Sequence, residues 1–257
     1  VGDPDLLLAL ELADSVDPIT LDLFRSPDLH VETKPDLTPV TAADRRVEDV
    51  IRQRLQAERP NDALVGEEYG ARGDAARRWI IDPIDGTKNF VRGHPVWATL
   101  IGLQLDGAGI VGVVSAPALG RRWWARHGEG AWTRDVTGEI RSCTVSNVGL
   151  LEDAFLVYSG LSGWGEREKN FRRLTESVRR TRGFGDFWTY MMVAEGIADI
   201  ACEPEVSLWD LAAVQVVVEA AGGHFTDLTG KPGPDGGSAI ATNGLLHDSA
   251  LKLLGGI

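Results

Sequence analysis

As far as Pro60 the apolar residues of this chain recur at helical spacing. Beyond it they run in short β-like blocks, and in the last third the two patterns alternate. Leu6, Leu7, Leu10, Ala13, Leu21 and Phe24 predict a helix over 3–26, with a kink expected at Pro18. A loop rich in Pro and Asp follows from Ser26 to Val40. Thr41 then reads as the N-cap of a second helix, with Val47, Val50, Ile51 and Leu55 on one face and Pro60-Asn61 as its end. Trp79-Ile-Ile81, Ala98–Leu103, Ile110–Val114 and Arg122–Ala125 are strand-like runs divided by Gly, Pro and Asp. The remainder predicts strands at 155–158, 197–202 and 239–242, and helices at 166–180, 187–195, 208–221 and 246–254. The fold class that accommodates these changes is a layered α/β (α+β) sandwich in two halves, 1–140 and 141–257. The junction falls near 137–145, and the sheet of the second half is expected to be mixed.

Bulk properties exclude several partners. With 257 residues the chain can bury a sizeable core, and 43% hydrophobic and 25% charged residues are ordinary for a globular protein. A net charge of -12 argues against a nucleic-acid backbone or an anionic membrane, so no nucleic acid and no membrane are expected as partners. No secretory signal or bilayer-spanning run is apparent, and a cytoplasmic location is the expectation. Cys143 and Cys202 share no metal or redox spacing and read as buried thiols of a reducing compartment.

The densest chemical signal is Trp79-Ile-Ile-Asp-Pro-Ile-Asp-Gly-Thr-Lys-Asn-Phe90. A buried strand runs into Asp82, and Pro83 stops it from continuing simply as strand or helix. Asp82 and Asp85 then flank a turn where both carboxylates and the Ile84 carbonyl can face one point. Gly86 permits a tight bend or close backbone approach. The Gly86-Thr87-Lys88 amides open the next segment, where free N–H groups suit a phosphate. Hard oxygen donors beside a phosphate seat describe a Mg²⁺ site; zinc would call for His and Cys, and the five His lack ligand-like spacing.

Two flanking segments admit two readings each. Glu67 and Glu68 follow an apolar strand and Gly66; they can reach the same metals or sit on a solvated turn. Ser207-Leu-Trp-Asp210 opens an apolar helix as a capping box, and a carboxylate in that first turn can also ligate a metal.

Taken in order, Lys34…Asp44, Gly66-Glu-Glu68, Asp82-Pro-Ile-Asp-Gly-Thr87, Trp209-Asp210 and Glu219-Ala-Ala-Gly-Gly223 resemble the inositol monophosphatase superfamily of metal-dependent phosphatases over nearly the whole chain. The resemblance implies an α-β-α-β-α sandwich, antiparallel in its N-terminal sheet and mixed in its C-terminal one, usually a homodimer, with the active site between the halves. By position it implies Glu67, Asp82 and the Ile84 carbonyl around one Mg²⁺. Asp82, Asp85 and Asp210 hold a second, and a weaker third involves Glu67; Mn²⁺ or Zn²⁺ are alternatives. Thr87, with Asp44 as partner, orients and helps deprotonate the attacking water, and the Gly86 and Thr87 amides cradle the phosphate. Lithium inhibition is expected. The chemistry is coherent: phosphomonoester hydrolysis needs accelerations of up to about 10²¹-fold, and cations held by carboxylates can stabilise an anionic transition state that carboxylates alone cannot.

Within that superfamily, residues 85–100, Gly185-Asp-Phe-Trp188 and Glu203-Pro-Glu-Val-Ser-Leu-Trp-Asp210 are similar to the histidinol-phosphate phosphatases of histidine biosynthesis. Histidinol phosphate carries an ammonium and an imidazole. A pocket edged by Asp186, Glu203 and Glu205 suits a cation, and Phe187 or Trp188 can flank a flat ring. Asp186 reads equally as an N-cap, and Trp188 as core packing. Arg92 and His94 are candidates to reach across a dimer interface. The expected activity is hydrolysis of L-histidinol phosphate. Inositol-1-phosphate hydrolysis is the alternative, followed by phosphoadenosine or sugar-bisphosphate hydrolysis, and then by a metal-binding regulator without turnover.

Overall fold

Asp3 caps the first helix, α1 (Pro4–Leu23), by accepting the Asp5 and Leu6 amides at 3.0 Å each. The structure, a computed structural model, describes residues 2–27, 29–33 and 39–256; Lys34 lies outside them. α1 continues through Pro18. The carbonyl that loses its helical donor there belongs to Asp14, on the exposed side, where water can serve it. The expected loop contains a small ribbon, β1 (Val31–Thr33) with β2 (Pro39–Thr41). Thr41 caps α2 (Ala42–Glu58) as expected, in a capping box closed by Asp44.

Eight strands form the first sheet: β3 (Ala63–Gly66), β4 (Gly70–Arg72), β5 (Arg77–Asp85), β6 (Ala98–Leu105), β7 (Ala108–Ala116), β8 (Arg121–Arg126), β9 (Gly130–Arg134) and β10 (Ile140–Cys143). Their spatial order is β10-β9-β8-β7-β6-β5-β3-β4, and α3 (Thr87–Val91) interrupts between β5 and β6. All neighbours are antiparallel except β3 and β5. That corrects the expectation of an antiparallel sheet at one seam. β4 turns back along the outer edge of β3, so the chain re-enters the sheet on the other side of β3 and in its direction.

The second sheet holds β11 (Phe155–Tyr158), β12 (Arg180–Gly183), β13 (Ile200–Glu203), β14 (His224–Thr226) and β15 (Ala239–Thr242), ordered β12-β11-β13-β15-β14. It is mixed: β11 runs parallel to β12 and β13, while β15 is antiparallel to β13 and β14. The helices are α4 (Glu168–Ser177), α5 (Asp186–Ala194), α6 (Leu208–Ala220) and α7 (His247–Leu254). The helix expected over 166–180 stops at Ser177, and Arg180 begins β12.

The layers are α1 and α2, the first sheet, α5 and α6, the second sheet, then α4 and α7. α6 lies between two sheets, which explains why Leu211 to Val218 are buried on every side of it. Its seat is cut by glycines. A Cβ on Gly112 would lie 2.3 Å from the Ala213 carbonyl oxygen, and one on Gly102 would lie 3.1 Å from Ala212. α6 therefore beds directly on the backbone of β6 and β7, and its N-terminus is delivered to the end of β5.

Candidate active site

β5 ends in a bulge. Asp82 pairs with Leu100 and Asp85 with Ala98, so three steps on β5 match two on β6. In a regular strand residues three apart face opposite ways; the extra residue restores Asp85 to the side of Asp82. Pro83 has no amide to lose from the ladder, and its carbonyl accepts the Thr99 hydroxyl at 2.8 Å. Gly86 then adopts φ +83°, and a Cβ there would meet the Val96 oxygen at 2.9 Å.

Two helix N-termini and one turn complete the cluster. Asp210, three residues after Ser207, accepts the Ser207 amide at 2.7 Å as a capping box, while its carboxyl meets Asp82 and Asp85. Ligand oxygens of Asp82, Asp85 and Asp210 all lie within 4.8 Å of one another. Glu67 follows β3, its amide donating to the Ile81 carbonyl at 3.2 Å, and its carboxyl bonds that of Asp82. The buried residue that holds this turn carries no signal of its role in the sequence. Glu48 accepts the amides of Glu68 at 2.7 Å and Tyr69 at 3.2 Å, and fills the space where a Gly66 side chain would be. A buried Glu in a helix with an Arg four residues on looks like ordinary pairing, so nothing in the sequence singled it out.

Thr87 sits at the first position of α3. Its hydroxyl is 3.2 Å from Asp44 Oδ1 and 3.0 Å from the Ile84 carbonyl oxygen. Asp44 Oδ2 accepts the Thr41 amide and hydroxyl at 2.8 and 2.6 Å. The carboxyl that closes the capping box of α2 is thus also the partner of Thr87.

The electrostatics of this group require a counter-charge. Burial, reinforced by neighbouring carboxylates, holds Asp82 and Asp85 well above the usual carboxylate range. Burial pushes Asp44 and Asp210 up to about 6, with the Glu67 charge adding to both. Asp82 Oδ1 is buried with no hydrogen-bond partner among the described residues. Pro39, Glu67, Gly86, Thr87, Lys88, Asp186, Ser207, Trp209 and Asp210 line a cavity of about 270 Å³ here, and Lys88 is the one cation among these residues. An orphaned carboxylate oxygen in an all-oxygen donor set fits a hard divalent cation.

A second cavity of about 630 Å³ adjoins the first, sharing Lys88 and Asp186; its wall includes Asn89, Ser159, Phe184, Glu203 and Glu205. Burial raises Glu203 to about 8 and Asp186 to about 6. Glu203 accepts the Ser159 hydroxyl. Asp186 does not cap α5: Gly185 takes the cap position, and the Asp186 carboxyl turns to Asn89. The aromatic wall differs from expectation. Phe187 is buried against Trp123, and Trp188 packs behind Phe184 with ring centroids 5.5 Å apart, leaving Phe184 to face the cavity. Helical phase decides this, since Phe187 follows the first turn of α5 into the core. Arg92 and His94 are exposed; Arg92 ends α3 and lines neither cavity.

A layered sandwich with a carboxylate cluster where α6 meets the end of β5 defines a class. Residues 3–255 match the Inositol monophosphatase family, and the chain belongs to it. It is 54% identical over 256 residues to a histidinol-phosphatase of Streptomyces coelicolor, spanning 97% of this chain and 96% of that one. It is 56% identical over 254 residues to a histidinol-phosphatase of Mycobacterium tuberculosis, spanning 97% of each. Among solved structures, an inositol monophosphatase from Zymomonas mobilis superposes with a TM-score of 0.86 at 32% identity, covering 98% of this chain and 97% of that one.

Proposed function

We propose that this chain is a Mg²⁺-dependent phosphatase that hydrolyses L-histidinol phosphate to L-histidinol and phosphate, a step of histidine biosynthesis. The observation that carries the reading is the pairing of two cavities. One is lined by Glu67 and Asp210, the latter clustered with the buried Asp82 and Asp85, and the adjoining one is walled by Asp186, Glu203 and Glu205. The relatives at 54% and 56% identity, both named histidinol-phosphatases, support the same substrate.

Glu67, Asp82, Asp85, Asp210 and the Ile84 carbonyl would hold the cations. When bound, these supply an acidified water and neutralise charge on the phosphate and the departing oxygen. The remaining work falls to the chain. Thr87 Oγ1 takes a proton from the attacking water while its own proton passes to Asp44 Oδ1, held in place by Thr41. The water oxygen bonds to phosphorus, the ester P–O bond breaks, and its electron pair leaves on the histidinol oxygen, which takes a proton from solvent water while Asp44 releases the one it received. A carboxyl pushed up to about 6 is a suitable base near neutral pH. The Gly86 and Thr87 amides and Lys88 seat the phosphate, since the first amides of a helix have no internal acceptor. Asp186, Glu203 and Glu205 take the ammonium and imidazole end, with Phe184 against the ring. Inositol offers only hydroxyls and no cation to pair with these carboxyls. We place the enzyme in a reducing cytoplasm as a homodimer; both cysteines are buried free thiols, and no described helix is long and apolar enough to cross a membrane. Phosphate release from histidinol phosphate with Mg²⁺, abolished by EDTA, is the expected result; no release under any divalent cation would refute the assignment.

A further inference from the structure

Asp186 has an unusual backbone. Its φ is +52°, a left-handed conformation that Asp tolerates better than most residues but still at a cost. Asp186 is the first residue of α5, with Gly185 at the cap position, so its carboxyl is not committed to capping the helix. Here the carboxyl instead crosses to the other half of the molecule, where Asn89 Nδ2 donates to Asp186 Oδ2 at 2.7 Å. The same Asn89 nitrogen donates to the Val96 carbonyl at 2.9 Å, so both protons of the amide are committed and its orientation is set. The Asp186 amide is held separately, by the Ser159 hydroxyl at 2.8 Å, and the next amide, of Phe187, donates to Asp85 at 2.7 Å. Gly86 leaves the room this requires: a Cβ there would stand 3.3 Å from Asp186 Oδ2. With Oδ2 tied to Asn89, Oδ1 accepts no hydrogen bond among the described residues, and Asp186 stands in the wall of both cavities together with Lys88.

We infer that Asn89 is a positioning residue for substrate selectivity: it holds the Asp186 carboxyl by one oxygen and so presents the other to the cationic end of the substrate. This rests on the function proposed above. Asn89 stands on α3, four residues after the metal-cluster Asp85, so one short helix would seat the phosphate and also set the distance from it to the selective carboxyl.

The test compares kcat and KM for histidinol phosphate and for p-nitrophenyl phosphate, which has no ammonium, in wild type, Asn89→Ala, Asn89→Ser, Asp186→Ala and the Asn89→Ala/Asp186→Ala double variant. We expect Asn89→Ala to lower kcat/KM for histidinol phosphate at least about tenfold more than for p-nitrophenyl phosphate, mainly through KM, with Asn89→Ser milder in the same sense. In the Asp186→Ala background the Asn89 substitution should alter the ratio of the two substrates no further. Equal losses on both substrates in both single Asn89 variants, or full additivity with Asp186→Ala, would overturn the inference while leaving the proposed function standing. A wild-type enzyme with no preference for histidinol phosphate would overturn both.

Discussion

Asp85 illustrates how one residue serves structure and chemistry together. Its Oδ2 accepts the Phe187 amide, tying α5 to the end of β5, while the carboxyl also completes the cluster with Asp82 and Asp210. Asp85→Asn keeps the shape and one acceptor oxygen but removes the charge. It should lower kcat about 10²–10³-fold with little change in Tm; unchanged turnover with Mg²⁺ would remove Asp85 from the metal site. At this scale the acids were legible, because Asp-Pro-Ile-Asp-Gly-Thr restricts its own backbone enough to aim two carboxylates at one point. Residues that act through long-range contact were not. Glu48 supports a turn twenty residues away, and Phe184 rather than Phe187 faces the cavity because of helical phase. Local pattern carries neither fact.

At the level of elements, the position of Asp210 depends on how α6 beds on β6 and β7. Gly112→Ala would place a methyl 2.3 Å from the Ala213 oxygen, and the helix must lift or tilt. The cost should be about 1–3 kcal/mol, read as a fall in Tm of roughly 2–4 °C for each kcal/mol. kcat should fall as well, since Asp210 moves with the helix. Retained Tm and activity would mean that α6 is not seated by this contact. Strong elements were readable: α2 with its Thr41 cap, β15, and the apolar α6 match the expected spans closely. The misses are short strands whose stability is borrowed from neighbours. β12 is Arg-Thr-Arg-Gly at a sheet edge, and nothing in those four residues favours a strand without β11 beside them.

For the whole molecule, the carboxylates set a pH dependence whose sign follows from their burial. Asp44 and Asp210 are raised to about 6 and Glu203 to about 8, each from an ordinary unfolded value near that of a free carboxyl. Each binds its proton more tightly folded than unfolded. Their contribution to stability is therefore complete below the unfolded values and is lost as pH rises through about 6 and then about 8. In EDTA, Tm should fall between pH 5 and pH 8, and saturating Mg²⁺ should remove most of that slope by supplying the missing positive charge. A Tm that is flat with pH in EDTA would contradict the electrostatic description of the cluster.

The claim that joins these scales is that a cation-bearing carboxylate cluster and an acidic neighbouring cavity together select histidinol phosphate. The direct measurement is kcat/KM for histidinol phosphate and for inositol 1-phosphate, side by side in Mg²⁺ and in EDTA. A preference of at least about tenfold for histidinol phosphate is predicted, equivalent to about 1.4 kcal/mol in transition-state binding, with both activities lost in EDTA. A preference for inositol 1-phosphate would contradict the role given to Asp186, Glu203 and Glu205.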